Sequence, residues 1–282
     1  MQTRNLFKYA AITLLSGWLL VFVLLPNLLV LLTSFLSRHE SDFVAFELTF
    51  ANYLRLVDPL YLKIFAHSLL LSLGATLLCL LAGYPFALFL VRLSPGLQRV
   101  LLLLVIIPFW TNSLVRTYAI RSLLAIKGPL NRLLELGLID EPLRLLYTGS
   151  AVTVGLVYVL LPFMIMPLYS SLEKLDLTQL EAAADLGAGR FQTLARVVIP
   201  QTMPGIIAGC LMVFLPALGM FYVADLLGGA KDLLIGNLIK NQFLDARDWP
   251  FGASLSMIMT LLMAVLLVAH TLSRRRVHQE AL

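Results

Sequence analysis

Two groups of residues have the types and spacing to do chemistry, and neither is built to break or make bonds. The first lies between Glu173 and Pro204. Thr178 stands three residues before Glu181, the spacing at which a hydroxyl and a carboxylate satisfy each other's backbone N–H groups, so a helix is expected to start near Gln179. Ala182, Ala183 and Ala184 follow, with high helix propensity and a surface small enough for another protein to approach closely. Gly187 suits the left-handed residue that ends a helix. An apolar and basic run, Phe191 to Ile199, then leads to Pro200. This chemistry predicts helix, tight turn, helix, lying along one membrane face. The second group is Phe221, Tyr222 and Asp225, an aromatic pair and a carboxylate at the end of an apolar block, with Trp110 and Asn112 after Pro108 as a further cluster. An ionisable group bordering a membrane span is a functional candidate by default. The plainer alternatives are a headgroup-level Asp225 paired with Lys231 or a helix N-terminus, and a Trp110 that packs or sits in an interface belt.

Bond-making machinery is not indicated. No Gly-rich phosphate loop, metal-ligand cluster or nucleophile–base–acid set stands out, so catalytic and metal sites are expected to be absent. Cys79 and Cys210 fall inside apolar blocks without metal or disulfide spacing and read as small core residues. His39, His67, His270 and His278 are scattered and read as individual interface or tail residues.

The elements that must position these residues are membrane helices. Of the 282 residues, 60% are apolar and 13% charged. That leaves too little polar surface to coat a water-facing globule. The net charge of +5 does not point to nucleic acid, because basic residues cluster at the ends of apolar blocks without an aromatic–basic stripe. A hydrocarbon layer about 30 Å thick needs roughly 20 apolar residues of helix. Six blocks fit, at residues 9–36, 64–91, 99–121, 150–172, 204–227 and 252–272, and the expected fold is an all-α membrane protein with six transmembrane helices. Pro26, Gly83 with Pro85, Pro108, Pro162 with Pro167, and Pro216 with Gly219 mark bends, near a pathway or as ordinary packing kinks. The first block is too long for a cleavable signal and reads as a retained span. Lys and Arg divide almost evenly between the two sides, but the short basic segments Arg4/Lys8, Arg92–Arg99 and Arg274–Arg276 place both termini in the cytoplasm. Residues 121–149 read as an interfacial or re-entrant piece, and residues 228–251 as a partial dip into the membrane.

The loop also carries a resemblance. Glu181-Ala182-Ala183, three residues, Gly187, nine residues, then Val197-x-Ile199-Pro200 resembles the EAA loop of ABC-importer permeases, with conservative apolar departures at Val197 and Ile199. Its place between the fourth and fifth spans matches as well. The resemblance implies a MetI-like type I ABC importer permease fold and a single permease domain over residues 1–282, with the EAA loop at 173–204. It implies that the loop is a coupling helix docked in a cleft of a cytoplasmic ATPase. The residues carried over are Glu181 for capping and polar contact, Ala182 and Ala183 for close docking, Asp185 and Leu186 in the same contact, and Gly187 for the turn. Lys174 and Arg196 are then surface charges at that interface.

The similarity extends to Gly83-Tyr84-Pro85-Phe86-Ala87, Pro108 to Ser113, Pro162 to Lys174, Gly219 to Leu226 and Arg247 to Gly252. Together these resemble the permeases of bacterial spermidine/putrescine importers over almost the whole chain. The resemblance implies an inner-membrane location and a PotC-like second permease. It also implies a dimer of a PotA-like ATPase that holds ATP and Mg, and a PotD-like periplasmic polyamine-binding protein; this chain itself would bind no cofactor. A polyamine pathway wants aromatic faces and a few carboxylates, each cation–π contact being worth about 0.5–2 kcal/mol. Trp110, Asn112, Phe221, Tyr222 and Asp225 fit that need. A permease for another small solute is the nearest alternative. A secondary transporter would need buried coupling carboxylates or repeated broken helices, and the deep parts of these spans have almost no charge. A non-transporting scaffold would not need the coupling pattern.

Overall fold

In lipid, backbone N–H and C=O groups must be satisfied within the segment, and the apolar blocks accordingly fold as helices. The computed structural model describes residues 2–39, 43–135, 142–229 and 232–279. In chain order its elements are α1 (Gln2–Leu19) and α2 (Leu25–Ser34), joined by a π-helical turn, then a short antiparallel pair β1 (Leu36–Ser37) and β2 (Ala45–Leu48). There follow α3 (Ala51–Arg55), α4 (Pro59–Val91), α5 (Pro95–Ile106), α6 (Ser113–Leu124), α7 (Pro129–Glu135) and α8 (Gly149–Leu172). The last part holds α9 (Leu177–Asp185), α10 (Arg190–Thr193), α11 (Ile199–Gly219), α12 (Phe221–Leu227), α13 (Ile235–Leu244) and α14 (Trp249–Gln279).

Among the described residues, five helices can cross a membrane by length and composition, or six if one bent pair counts as a single span. The bent pair is the expected third span. It does not run straight through residues 99–121 but turns by 96° between Pro95–Trp110 and Ser113–Glu135. Pro108 sits in a 3-10 turn, Ile107–Trp110, and the Thr111 backbone is extended, so the helix ends there. The expected fifth span, 204–227, also changes. An unbroken helix starts at Arg190, includes α10, a π-helical turn at Leu194–Val198 and α11, and ends at Gly219. Pro200 does not stop it: the π turn just before widens the helix where the proline ring would meet the preceding carbonyls. Met220 breaks the chain with ψ 62°, and α12 is a separate short helix. The segment 173–204 is therefore divided at Gly189, after which the long helix that holds the fifth candidate span begins.

The chain divides into two compact units, Met1–Leu62 with Leu238–Ala269, and Lys63–Asn237 with His270–Leu282. In the first, Asn52 is buried and donates from Nδ2 to the carbonyls of Ser34 (3.0 Å) and Leu36 (2.9 Å), tying α3 to the end of α2. Arg55 donates to Asp248 at 2.7 Å, and the Asp248 carboxylate also accepts from the Phe251 N–H at the start of α14. An acidic side chain at that place serves as a helix cap.

In the second unit α8 is the central helix, with half of its apolar window buried. It packs on α11 at small residues: a Cβ on Gly205 would lie 2.8 Å from the Pro167 carbonyl, and one on Gly209 2.7 Å from Met164 Sδ. Such close backbone approach replaces the hydrophobic drive that lipid cannot supply. The Tyr84 and Thr202 hydroxyls, 2.9 Å apart, join α4 to α11. Cys79 is buried there, as expected of a small core residue, and Cys210 is partly buried. α12 packs against α6 and α8.

Candidate functional site

The coupling-type segment folds as helix, turn, helix, but its start differs from the expected one. The helix begins at Leu177 rather than near Gln179, and its cap is Asp176, whose Oδ1 accepts from the Thr178 N–H at 3.0 Å. The Thr178–Glu181 capping box does not form. Asp followed by an apolar residue and Thr was itself a capping signal, and an Asp carboxylate at a helix N-terminus also meets the favourable end of the macrodipole. Hydrogen bonds from Thr178, first by its side chain and then by its backbone, hold the Asp176 carboxyl below the usual carboxylate range.

The far end of α9 closes as expected. Gly187 has φ +77°, and so lies in the left-handed region. Glycine enters that region without steric cost. The Ala188 N–H reaches the Ala183 carbonyl (3.0 Å) and the Gly187 N–H the Ala184 carbonyl (2.9 Å). These are the paired bonds of a Schellman turn. Glu181, Ala182, Asp185, Leu186 and Gly187 are exposed and Ala183 is half-buried. Leu186 is 89% exposed and Phe191, just past the turn, 81%. Two large apolar side chains thus flank the turn, both outside the chain's own core. Gln201 of α11 donates to Gln179 of α9, so the exposed helix is tied directly to the long span behind it.

The second candidate group is split by the two helix breaks. Trp110 is 80% exposed at the end of its 3-10 turn. Asn112 is the cap of α6, its Oδ1 accepting from the Leu114 N–H at 2.9 Å. Phe221, Tyr222 and Asp225 are together on α12, with the two rings edge-on at 6.1 Å, and α12 packs on the helix that Asn112 caps. Lys231, the alternative partner of Asp225, lies outside the described residues. The Asp225 side chain is exposed, and its Oδ1 accepts from Asn237 Nδ2 at 2.6 Å.

Two residues here were not singled out from the sequence. Asn237 is fully buried and binds Leu234, Phe221 and Asp225, and Arg116 is buried with its guanidinium carbon 4.8 Å over the Phe109 ring. Phe109 in turn meets Phe163 edge-on at 5.0 Å. A charged residue inside the block expected as the third span was the available signal for Arg116. Asn237 had none, because two of its partners come from another element.

Comparison with known proteins agrees with this architecture. The spermidine/putrescine transport system permease protein PotB of Escherichia coli K12 is 56% identical over 270 residues, covering 95% of this chain and 98% of that protein. The protein of the same name from Haemophilus influenzae is 53% identical over 282 residues, covering 98% of this chain and 99% of its own. A permease-fold match appears in the crystal structure of a bacterial alginate ABC transporter in complex with an alginate pentasaccharide-bound periplasmic protein: TM-score 0.78 over 98% of this chain and 96% of that one, at 16% identity. Residues 13–279 match the family of binding-protein-dependent transport system inner membrane components. The chain therefore belongs to that family, the inner-membrane permease subunits of ABC importers.

Proposed function

We propose that this chain is a permease subunit of an ATP-driven polyamine importer and forms, with a PotC-like second permease, the membrane pathway for spermidine and putrescine. The observation that carries the reading is similarity from end to end to polyamine permeases, 56% identical for the Escherichia coli protein and 53% for that of Haemophilus influenzae. A dimer of a PotA-like ATPase holds ATP and Mg, a PotD-like periplasmic protein delivers the polyamine, and this chain binds no cofactor. Residues 1–282 act as one permease domain with both termini in the cytoplasm, which puts the 173–204 segment on the ATPase side.

The geometry supports a mechanical route. ATP-driven closure of the ATPase pair moves the docked α9 through Glu181, Ala182, Ala183, Asp185 and Leu186, with the Gly187 turn keeping its end rigid. Gln179 passes the displacement to Gln201 on the fifth span. That helix has 30 residues and ends at the Met220 break beside α12. At a helical rise of about 1.5 Å per residue its length is about 45 Å. Movement at the cytoplasmic turn thus reaches Phe221, Tyr222 and Asp225. There two ring faces and one exposed carboxylate meet the ammonium groups of a passing polyamine strongly enough to guide it, at about 0.5–2 kcal/mol per ring, without trapping it. Trp110 and Asn112 border the same path at the other break.

Reconstitution with the second permease, the ATPase and the binding protein tests this. Uptake of radiolabelled spermidine and putrescine that needs both ATP and the binding protein is expected. ATP-dependent uptake of a different solute, with none of polyamines, overturns the substrate assignment. Asp225→Asn is expected to lower polyamine uptake and transport-coupled ATP hydrolysis while the complex still assembles; unchanged uptake kinetics remove Asp225 from the pathway.

A further inference from the structure

The fifth span is broken at Met220, and a broken helix needs something to hold its loose end. The segment Leu234–Asn237 does so. Its backbone crosses close to the break: a Cβ on Gly236 would stand 2.9 Å from the Gly219 carbonyl oxygen, so only glycine allows this approach without a shift. The Ile235 N–H donates to Ser68 Oγ at 2.8 Å, and Ser68, fully buried, donates onward to the Ile64 carbonyl at 2.8 Å, anchoring the segment on α4.

Asn237 is the residue that reaches α12. It has no exposed surface, and its amide is used on both sides. Oδ1 accepts from the Leu234 N–H at 3.0 Å, and Nδ2 donates to the Phe221 carbonyl at 2.9 Å and to Asp225 Oδ1 at 2.6 Å. The Phe221 carbonyl lies in the first turn of α12 and Asp225 one turn on, so a single side chain sets both the position of the helix and the direction of its carboxylate. The choice of an amide has an electrostatic meaning. A lysine or arginine at this place would also hold Asp225 but would bring an opposing charge with it. A neutral donor fixes the carboxylate without adding a cation of its own.

We propose that Asn237 is a positioning residue for Asp225: it aims the α12 carboxylate at the ammonium groups of the transported cation. This deepens the pathway reading of Asp225 and rests on it. The binding protein sets the concentration dependence of uptake, so the loss is expected in maximal rate rather than in half-saturating concentration.

The test uses the reconstituted four-component complex with radiolabelled spermidine, with assembly followed by co-purification of the ATPase. Asn237→Leu is expected to reduce the maximal rate roughly ten- to hundredfold, the scale of one lost hydrogen bond to a charged group. The double variant Asp225→Asn/Asn237→Leu is expected to lose clearly less than the product of the two single losses, since part of what Asn237 does works through that carboxylate. Asn237→Asp is near-isosteric but sets a second carboxyl beside the first, so its assembly is followed at each pH by co-purification of the ATPase. Two carboxyl groups this close share a proton, so at unchanged assembly its transport relative to wild type at the same pH is expected to fall as pH rises and the shared proton is lost. Wild-type transport by Asn237→Leu, additive losses in the double variant, or a pH profile of Asn237→Asp identical to wild type overturns the inference. A normal Asp225→Asn instead overturns the pathway reading on which it rests, and the two failures are distinct.

Discussion

The Arg55 guanidinium donates to Asp248 Oδ2 at 2.7 Å while its carbon lies 4.1 Å from the centre of the Phe251 ring. One cation thus neutralises a buried carboxylate and covers an aromatic face, and that same carboxylate caps α14. Burial works against the charged guanidinium, but the bonds it donates to Asp248 and Tyr61 outweigh it and leave Arg55 more strongly basic than usual.

Breaking this pair is expected to be destabilising from either side. Side-chain exposure is 46% for Arg55 and 3% for Asp248, so Arg55→Ala strands a buried charge. Removing one partner of a buried pair costs about 3–5 kcal/mol, and the half-exposed arginine puts this pair at the lower end. Arg55→Lys keeps the charge without the planar stack and is expected to fall between. Thermal denaturation of the detergent-purified complex checks the order wild type, Lys, Ala; equal midpoints refute it.

At the turn after α9, backbone geometry sets the expected result. Gly187 has φ +77° and nothing within 4 Å of the place where a Cβ would stand, so a substitution there meets backbone strain rather than a clash inside this chain. Gly187→Arg is expected to insert in the membrane normally yet lose uptake. Gly187→Asn, which tolerates the left-handed region, is expected to retain most of it. Wild-type uptake by Gly187→Arg contradicts the coupling role.

Packing between α8 and α11 leaves no room at Gly209, where a Cβ would approach Met164 Sδ to 2.7 Å. Gly209→Val is therefore expected to lose folded protein, by about 1–3 kcal/mol of overpacking or more. Gly74 on α4 has nothing within 4 Å of a Cβ position. Gly74→Ala is accordingly expected to be neutral or slightly stabilising. Size-exclusion yield of the two variants in detergent distinguishes them, and equal yields count against the close approach.

Asp176 ties the start of α9 to pH in a defined direction. Its carboxyl titrates below the ordinary value of 3.8 in the folded chain. The cap therefore contributes fully above that ordinary value and is lost as pH falls through the lowered one. From about pH 5 to 8, Asp176 is expected to add no pH dependence to uptake. Asp176→Asn keeps an acceptor and is expected to behave as wild type at neutral pH, whereas Asp176→Ala frays the first turn of α9. Amide exchange at Thr178 and Gln179 reads this, and identical protection in the alanine variant rules the cap out.

The amino-acid order alone determined the features that arise from local or solvent-imposed physics. Lipid cannot hydrogen-bond a backbone, so long apolar blocks had to be helices, and their number and approximate places followed. The Gly187 turn was equally legible, because a left-handed helix end is a property of a few adjacent residues. Even local chemistry misled at one point: Thr178 and Glu181 had capping spacing, but Asp176 lay closer to the true start and won. Pro108 and Pro216 with Gly219 marked bends at the two helix breaks, but composition cannot tell a bent span from one that stops at Thr111 or Met220. Tertiary structure alone decided which polar residues meet. Asn237 with Asp225, Gln179 with Gln201 and Arg55 with Asp248 are bonds between separate elements, and their partners become specific only when packing brings those elements together.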